Sequence, residues 1–264
     1  MDLELTGKTA LISGSTAGIG FAIAKELAQE GTNVTINGRS AERVQKAVAK
    51  IQETRPRGSV SGIAADLGTV SGVNVLIQSL PAVDILINNL GIFEPKDFSA
   101  ITDADWLRFF EVNVLSGVRL SRHYLPSMVR KNWGRVIFMS SESAVQIPVE
   151  MIHYGMTKTA QLAIARGLAE SVAGTGVTVN SVLPGPTRSE GVGGFVEGMA
   201  KHRKVSVEQV EKEFFQNARP SSLLRRFATV EEVAAMVTYV ASVRSSATNG
   251  AALRVDGGVV RSIV

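Results

Sequence analysis

The chain has 264 residues, of which 45% are hydrophobic and 20% charged, a balance typical of a globular core. It contains no cysteine, which excludes disulfide scaffolds, thiolate metal sites and cysteine nucleophiles. The net charge of +4 comes from scattered basic residues, and the densest group, at 201–204, is typical of a solvated helix face. We therefore expect no nucleic-acid partner. Because the first residues lack a secretory signal and no apolar run would span a bilayer, we expect no membrane association and a cytoplasmic location.

Short runs rich in β-branched residues alternate with helical patterns along the chain. They predict strands at 9–13, 33–37, 60–64, 84–88, 135–140, 177–183 and 252–255, and helices at 19–30, 41–54, 105–131, 154–172 and 230–242. Such alternation favours a parallel sheet covered by helices on both faces. The sequence thus predicts one α/β domain over residues 1–264, a three-layer sandwich around a doubly wound sheet of about seven strands.

Residues 184–220 interrupt this alternation. Five glycines in 185–198 precede a short helical pattern at 207–215. Ligands of open α/β sheets bind at the carboxyl ends of the strands, where this segment begins. We therefore predict a mobile substrate lid at about 186–220, with an ordinary surface insertion as the alternative.

A glycine-rich loop separates the first predicted strand from the first predicted helix. Glycines there allow a tight turn and a close approach of the backbone to a pyrophosphate, while the helix N-terminus offers free N–H groups. The spacing Gly-x-x-x-Gly-x-Gly therefore predicts dinucleotide binding by Gly14, Ser15, Thr16, Gly18, Ile19 and Gly20.

The end of the second strand indicates which dinucleotide binds. NAD enzymes usually place an acid there for the ribose hydroxyls, but this chain has Gly38 followed by Arg39 and Ser40. An arginine binds a 2′-phosphate that an acid would repel. We predict a preference for NADP(H), with NAD(H) use left open because Ala17 stands where some NADP enzymes carry a basic residue. A surface arginine is the alternative for Arg39.

Four polar residues form a candidate catalytic set. Tyr154 and Lys158 are one helical turn apart, so the ammonium would favour the phenolate and suit the phenol to acid/base work. Ser141 ends a strand and is predicted to donate to the substrate oxygen, and Asn113 to hold a proton-relay water. A turn serine and a locally bonded amide are the alternatives. His153 suggests a Ser-His hydrolase, but Ser141 lacks the Gly-x-Ser-x-Gly elbow.

In this order the motifs resemble the compact branch of the short-chain dehydrogenase/reductase family, and are similar to those of 3-oxoacyl-carrier-protein reductases. The likeness rests on the loop 14–20, Asp66, the run 88–91, Asn113, Ser141, Tyr154, Lys158, Asn180, Pro184-Gly185 and the run 255–258. It departs from the family at Leu90, where alanine is usual.

The resemblance implies a Rossmann-like fold and a role for each matching residue. Tyr154 would be the acid/base, Lys158 would lower its pKa and bind the nicotinamide ribose, Ser141 would orient the substrate and Asn113 would hold the water. Further cofactor contacts are implied for Asp66, Leu67, Asn89, Gly91, Pro184, Gly185, Thr187 and Ser189. No metal is implied. The family also implies a homotetramer in which helices near 105–131 and 154–172 pair between subunits.

The function predicted from these features is hydride transfer between NADP(H) and a small-molecule ketone or secondary alcohol. A non-catalytic NADP(H)-binding sensor or scaffold on the same fold is the alternative, although a pure binder has no need of all four catalytic residues. A sugar-nucleotide epimerase would need a larger substrate domain than this chain provides. The substrate itself stays open among 3-oxoacyl thioesters, sugar acids, polyols and other ketones.

Overall fold

A parallel sheet forms the centre of the computed structural model, which describes residues 2–263 except for the side chain of Phe195. Over that range seven strands pair in the order β3-β2-β1-β4-β5-β6-β7, and every pairing is parallel. The strands are β1 (Thr9–Ile12), β2 (Asn33–Gly38), β3 (Val60–Ala64), β4 (Ile85–Asn88), β5 (Gly134–Met139), β6 (Val177–Pro184) and β7 (Ala252–Val255). The strand order reverses between β1 and β4, which is where ligands of such sheets bind.

Helices cover both faces of the sheet. They are α1 (Gly18–Gln29), α2 (Ala41–Gln52), α3 (Val70–Ser79), α4 (Asp103–Phe110), α5 (Ser116–Arg130), α6 (Ile152–Ser171), α7 (Glu190–Arg203), α8 (Val207–Asn217) and α9 (Val230–Ala241). Successive side chains of a strand point to opposite faces. Ala10 and Ile12 of β1 therefore pack with α1, α2 and α9, whereas Leu11 packs with α3, α5 and α6. The predicted doubly wound α/β sandwich is confirmed.

The helix α3 has no counterpart among the sequence predictions. Thr69 caps its N-terminus by accepting a hydrogen bond from Gly72 N at 3.0 Å. A Cβ at Gly72 would lie only 2.0 Å from Asp66 O, so glycine is required for this close approach. Glycine, serine, valine and asparagine all have weak helix propensity, which is why the local pattern did not indicate this helix.

The helix predicted over 105–131 is interrupted. Between α4 and α5 the chain makes a π-helical turn, Glu111–Leu115, that contains the predicted site residue Asn113. π-turns inside helices occur frequently at functional sites. The interruption turns the side chain of Asn113 inward, where it is 1% exposed.

The glycine-rich part of 186–220 is helical, although within this segment the sequence predicted a helix only at 207–215. Ser189 caps α7 through a hydrogen bond from Val192 N, and Lys204 ends the helix in the left-handed conformation. Ser206 then caps α8. These two helices share a small apolar cluster made by Val196, Ala200, Val210, Phe215 and Phe227. None of the helices in residues 2–263 is long and apolar enough to cross a membrane.

Candidate active site

The loop after β1 is built for close packing. Gly14 and Gly18 both have φ of +60°, a left-handed conformation that favours glycine. A Cβ at Gly20 would lie 2.4 Å from Asn89 Nδ2 and 2.8 Å from Gly14 O. Asn89 Nδ2 donates to Ser13 O and to Gly14 O, each at 2.9 Å, so this predicted cofactor residue also fixes the loop.

The N-terminus of α1 is open towards a cavity. Among residues 2–263 no side chain caps this helix, whose N-cap position is Ala17. The first N–H groups and the positive end of the helix dipole therefore face a cavity of about 570 Å³ and suit an anion. The cavity is lined by Ala17, Gly18, Ile19, Gly20, Arg43, Asn89, Ser189, Glu190, Gly191 and Gly194.

An adjoining cavity of about 290 Å³ lies beside the end of β2. It is lined by Gly14, Thr16, Ala17, Asn37, Gly38, Arg39, Ser40, Arg43, Ala65, Asp66, Leu67 and Leu90. Arg43 lines both cavities. Arg43 was not among the predicted site residues, although its place on the first turn of α2, close after Arg39 in the chain, was a usable signal.

Some predicted cofactor residues have their polar atoms engaged within the protein. Ser15 Oγ donates to Ile12 O at 2.7 Å and accepts from Asn37 N at 3.0 Å. Thr187 Oγ1 donates to Gly185 O at 2.9 Å, and Asp66 Oδ1 accepts from Gly68 N at 3.0 Å. These contacts shape the loops at the sheet edge. Asp66 also lines the smaller cavity, whereas Ser15 and Thr187 line neither cavity.

The carboxyl end of β6 is packed tightly against the residues that follow β7. Pro184 ends β6 opposite Val255, and Gly185 N donates to Val255 O at 3.0 Å. A Cβ at Gly185 would lie 2.6 Å from Asp256 O, so glycine is needed there. The segment that leads into α7 thus starts from a fixed point.

The predicted catalytic pair is brought together on α6. Lys158 is 4% exposed, and its Nζ lies 5.6 Å from the centre of the Tyr154 ring. This ammonium donates to Met139 O at 2.8 Å and to Gln161 Oε1 at 3.3 Å. Burial lowers the pKa of Lys158 to about 8, because it disfavours the charged form. A Cβ at Gly91 would lie 3.4 Å from Lys158 Nζ, which places Gly91 at this end of the site.

The groups around the phenol of Tyr154 shift its pKa in opposite directions. Burial raises the pKa of Tyr154, a hydrogen bond with Ser141 lowers it, the carboxylate of Glu142 raises it and the guanidinium of Arg219 lowers it. Ser141, Glu142 and Arg219 are therefore the neighbours that act on this phenol. Burial is the largest effect, so the pKa of Tyr154 is raised and the phenol stays protonated, whereas the sequence led us to expect a pKa lowered by Lys158.

A buried ion pair that the sequence analysis missed lies beside Ser141. Ser141 Oγ donates to Glu142 Oε2 at 2.5 Å, and Arg219 Nε donates to Glu142 Oε1 at 3.1 Å. Ser143 adds its N–H and hydroxyl to Glu142 Oε2 at 2.8 and 3.0 Å. Arg219 comes from the chain just after α8, and a separation of 77 residues left no local signal for this contact.

Asn113 is bonded to the protein through every polar atom of its side chain. Its Oδ1 accepts from Ile92 N at 2.7 Å, and its Nδ2 donates to Ile92 O and to Thr157 Oγ1, each at 3.0 Å. Its main-chain carbonyl accepts from Gln161 Nε2 at 2.6 Å. Asn113 therefore connects the π-turn to the loop after β4 and to α6.

His153 does not form a nucleophile–base pair. Its ring is fully buried, 4.0 Å from the ring of Phe109 and 6.0 Å from that of Trp106, and neither nitrogen has a hydrogen-bond partner within the described part of the chain. Burial lowers the pKa of His153. This residue packs α6 against α4, which removes the hydrolase alternative. Across residues 2–263 no group of three or more His, Asp and Glu side chains is placed to hold a metal ion.

The chain matches a protein-family model and is similar to several known proteins over its whole length. A family model described as short chain dehydrogenase matches residues 8–199. The uncharacterized oxidoreductase YvaG of Bacillus subtilis is 50% identical over 263 residues, with 100% of each chain covered. A 3-oxoacyl-[acyl-carrier-protein] reductase of Aquifex aeolicus is 31% identical over 98% of this chain and 100% of its own. The crystal structure of L-sorbose reductase from Gluconobacter frateurii, complexed with NADPH and L-sorbose, has a TM-score of 0.94 at 28% identity, with both chains covered completely.

Proposed function

Because the chain belongs to the short chain dehydrogenase family, we propose that it is an NADP(H)-dependent carbonyl reductase or alcohol dehydrogenase with Tyr154 as its acid/base. The observation that carries the proposal is the buried ammonium of Lys158, 5.6 Å from the centre of the Tyr154 ring. Within residues 2–263 this ammonium has no acidic partner, and a buried charge of that kind costs stability, which a site adapted to chemistry tolerates.

The residues around the two cavities fit a dinucleotide. The uncapped N-terminus of α1 supplies N–H donors for a pyrophosphate, and Gly18 and Gly20 line the larger cavity at that end. At the adjoining cavity Arg39 and Arg43 supply positive charge. When bound, a nicotinamide dinucleotide supplies the hydride that the side chains of this protein lack.

The preference for a 2′-phosphate follows from the charges near the end of β2. Arg39, Ser40 and Arg43 line the cavity at a place where Gly38 replaces an acid. Two guanidinium groups make charge-assisted hydrogen bonds to a 2′-phosphate, and these are stronger than their hydrogen bonds to an uncharged ribose hydroxyl. NADPH complexes of the L-sorbose reductase neighbour support the same cofactor for this chain. NAD(H) remains the second choice.

The protein's own part in the reaction is the movement of one proton. Burial keeps Tyr154 protonated, and Ser141 is the neighbouring hydroxyl that lowers the pKa of Tyr154. A substrate carbonyl oxygen between the two hydroxyls would gain the phenolic proton as charge develops on it. The ammonium of Lys158 stabilises the phenolate that is left.

The polar environment of Ser141 favours a hydroxylated substrate. Glu142 is 5% exposed and its partner Arg219 contributes a side chain that is 11% exposed, and both act on the pKa of Tyr154. The carboxylate of Glu142 is already engaged by Ser141, Ser143 and Arg219, so the remaining guanidinium N–H groups of Arg219 are the donors for a substrate hydroxyl. An alkyl chain against them would leave these donors unpaired. We therefore propose a small polyhydroxylated ketone as substrate, which agrees with the bound L-sorbose of the neighbouring structure.

The helices α7 and α8 are proposed as a lid over the cofactor. Ser189 lies against the glycine loop, where a Cβ at Gly18 would be 3.3 Å from Ser189 Cβ, and Gly191 and Gly194 line the larger cavity. We also propose a cytoplasmic homotetramer. The exposed apolar side chains of Leu107 and Phe110, 70% and 38% exposed on α4, support contacts between subunits through this region.

The test is a panel of carbonyl substrates followed at the absorbance band of NADPH. L-Sorbose and related ketoses should be reduced faster than 3-oxoacyl thioesters, and NADH should support lower rates than NADPH. Binding of NADPH without turnover across ketoses, sugar acids, thioesters and simple ketones would contradict the proposal. That outcome would instead favour a cofactor sensor.

A further inference from the structure

Gln161 lies one helical turn beyond Lys158 and is 1% exposed. Its Oε1 accepts from Lys158 Nζ at 3.3 Å, and its Nε2 donates to the main-chain carbonyl of Asn113 at 2.6 Å. Both ends of one buried amide are thus used, one on the catalytic lysine and the other on the π-turn. Buried amides are retained where both ends find partners, so this placement is specific.

We propose that Gln161 is a positioning residue for Lys158, its amide fixing the direction and the charge state of the ammonium beside Tyr154. The catalytic consequence of this inference rests on the proposed function, whereas the effect on Lys158 itself does not. The sequence around Lys158 predicts a catalytic lysine without assigning any role to Gln161.

The physical reason is the hydrogen-bonding capacity of a buried ammonium. An ammonium has three N–H donors, and Lys158 donates two of them to Met139 O and Gln161 Oε1. One donor is left, for a bound ligand or for the phenol. Without Gln161 the charged form of Lys158 loses an acceptor in a site that already disfavours charge, so the neutral amine gains.

The other end of the amide makes this arrangement rigid. Asn113 O accepts from Gln161, and Asn113 Nδ2 donates to Thr157 Oγ1 at 3.0 Å, so two contacts join the π-turn to the same turn of α6. Rotation of the Gln161 amide would break the bond to Asn113 O. The oxygen of Gln161 therefore stays directed at Lys158.

Other charged groups around the pair act on the phenol. Glu142, from the turn after β5, raises the pKa of Tyr154, and Arg219, from the chain after α8, lowers it. The pKa of Lys158 is lowered by its burial. From the π-turn and from the loop after β4, the neighbours Asn113 and Gly91 are uncharged. Substitution of Gln161 thus changes the surroundings of Lys158 and leaves the Glu142–Arg219 pair in place.

Two matched variants of Gln161 test the inference, because they should shift the ionisation midpoint of Lys158 in opposite directions. Gln161→Met keeps the length of the side chain and removes the acceptor, so the midpoint of Lys158 ionisation should fall by roughly one pH unit, a tenfold change in its equilibrium. Gln161→Glu loses the donor to Asn113 O but places a negative charge within reach of Lys158, so the midpoint should rise. The direct readout is a pH titration of Lys158 by NMR of the whole protein labelled at lysine Cε, assigned with Lys158→Arg.

The pH profile of catalysis should shift in the same directions as the ionisation midpoint of Lys158. Carbonyl reduction needs the protonated phenol and the charged ammonium together, so the alkaline limb of its pH profile should move down in Gln161→Met and up in Gln161→Glu. A purely structural role would lower melting temperature or kcat at every pH and leave the limb in place. Each variant alone tests one direction, so failure of one to fold does not remove the test.

The outcomes separate this inference from the proposed function. Unmoved midpoints, or midpoints that move in the same direction in both variants, overturn the role of Gln161 even if the protein is a reductase. Opposite shifts in a protein that reduces no carbonyl would support the role of Gln161 and refute the reductase.

Discussion

Replacement of Arg219 by alanine should destabilise the protein through Glu142. The carboxylate of Glu142 is 5% exposed and receives Arg219 Nε at 3.1 Å, so the variant leaves a buried charge without its cationic partner. Removal of one partner of a buried pair costs about 3–5 kcal/mol. Because Ser141 and Ser143 still donate to Glu142, the expected loss is smaller, about 2 kcal/mol.

For a chain of this size, that loss corresponds to a fall in melting temperature of about 4–8 °C. Scanning calorimetry at one fixed protein concentration measures it, since assembly makes the melting temperature depend on concentration. The matched control is Lys46→Ala, which breaks the exposed pair of Lys46 with Glu42, whose side chains are 70% and 74% exposed. This control should leave the melting temperature almost unchanged, because exposed pairs contribute little.

A double-mutant cycle decides whether Glu142 is the cause. In a Glu142→Gln background the buried charge is gone, so Arg219→Ala should cost clearly less than it does in the wild-type protein. Equal losses in both backgrounds would show that Arg219 acts through other contacts, such as its packing 5.9 Å from the ring of Phe214. An unchanged melting temperature in Arg219→Ala would refute the reasoning altogether.

Three further predictions concern the cofactor, the pH and the lid. Arg39→Ala and Arg43→Ala should each weaken NADPH binding by roughly tenfold or more, with little effect on NADH, in a fluorescence titration; equal losses for both nucleotides would contradict a 2′-phosphate site. Since the pKa of Lys158 is about 8 and the ammonium is the active form, the rate of carbonyl reduction should fall as pH rises through about 8; a rate that rises across that range would be inconsistent with a charged lysine. Gly198→Ala lies in α7 with open space around its Cβ, so it should stabilise the protein by about 0.5–1 kcal/mol in denaturant unfolding, and a loss of stability would mean that α7 needs this glycine.

The strands and the cofactor loop were predictable because their signals are local. The runs of β-branched residues predicted all seven strands, whose bounds differ from the structure by a residue or two, whereas the order of the strands in the sheet is known from the structure alone. Gly14 and Gly18 have the left-handed conformation that a glycine motif implies. The spacing of Tyr154 and Lys158 fixed their common helix face before any tertiary contact was known.

The rest of the site depends on contacts that join distant segments. Glu142 meets Arg219 across 77 residues, and Gln161 meets Asn113 across 48. A single sequence carries no record of such pairs. The helix α7 was missed for a different reason, because its glycines oppose helix formation locally while Val196 and Ala200 stabilise it through burial.

Tyr154→Phe is the measurement that tests the central claim most directly. The substitution removes the phenolic proton and keeps the ring, which packs edge-on to Phe93 with ring centres 6.4 Å apart. Single-turnover reduction by bound NADPH should slow by roughly a hundredfold or more, the scale of general acid catalysis, while the dissociation constant for NADPH stays near that of the wild-type protein. An unchanged rate of hydride transfer in this variant would contradict Tyr154 as the proton donor.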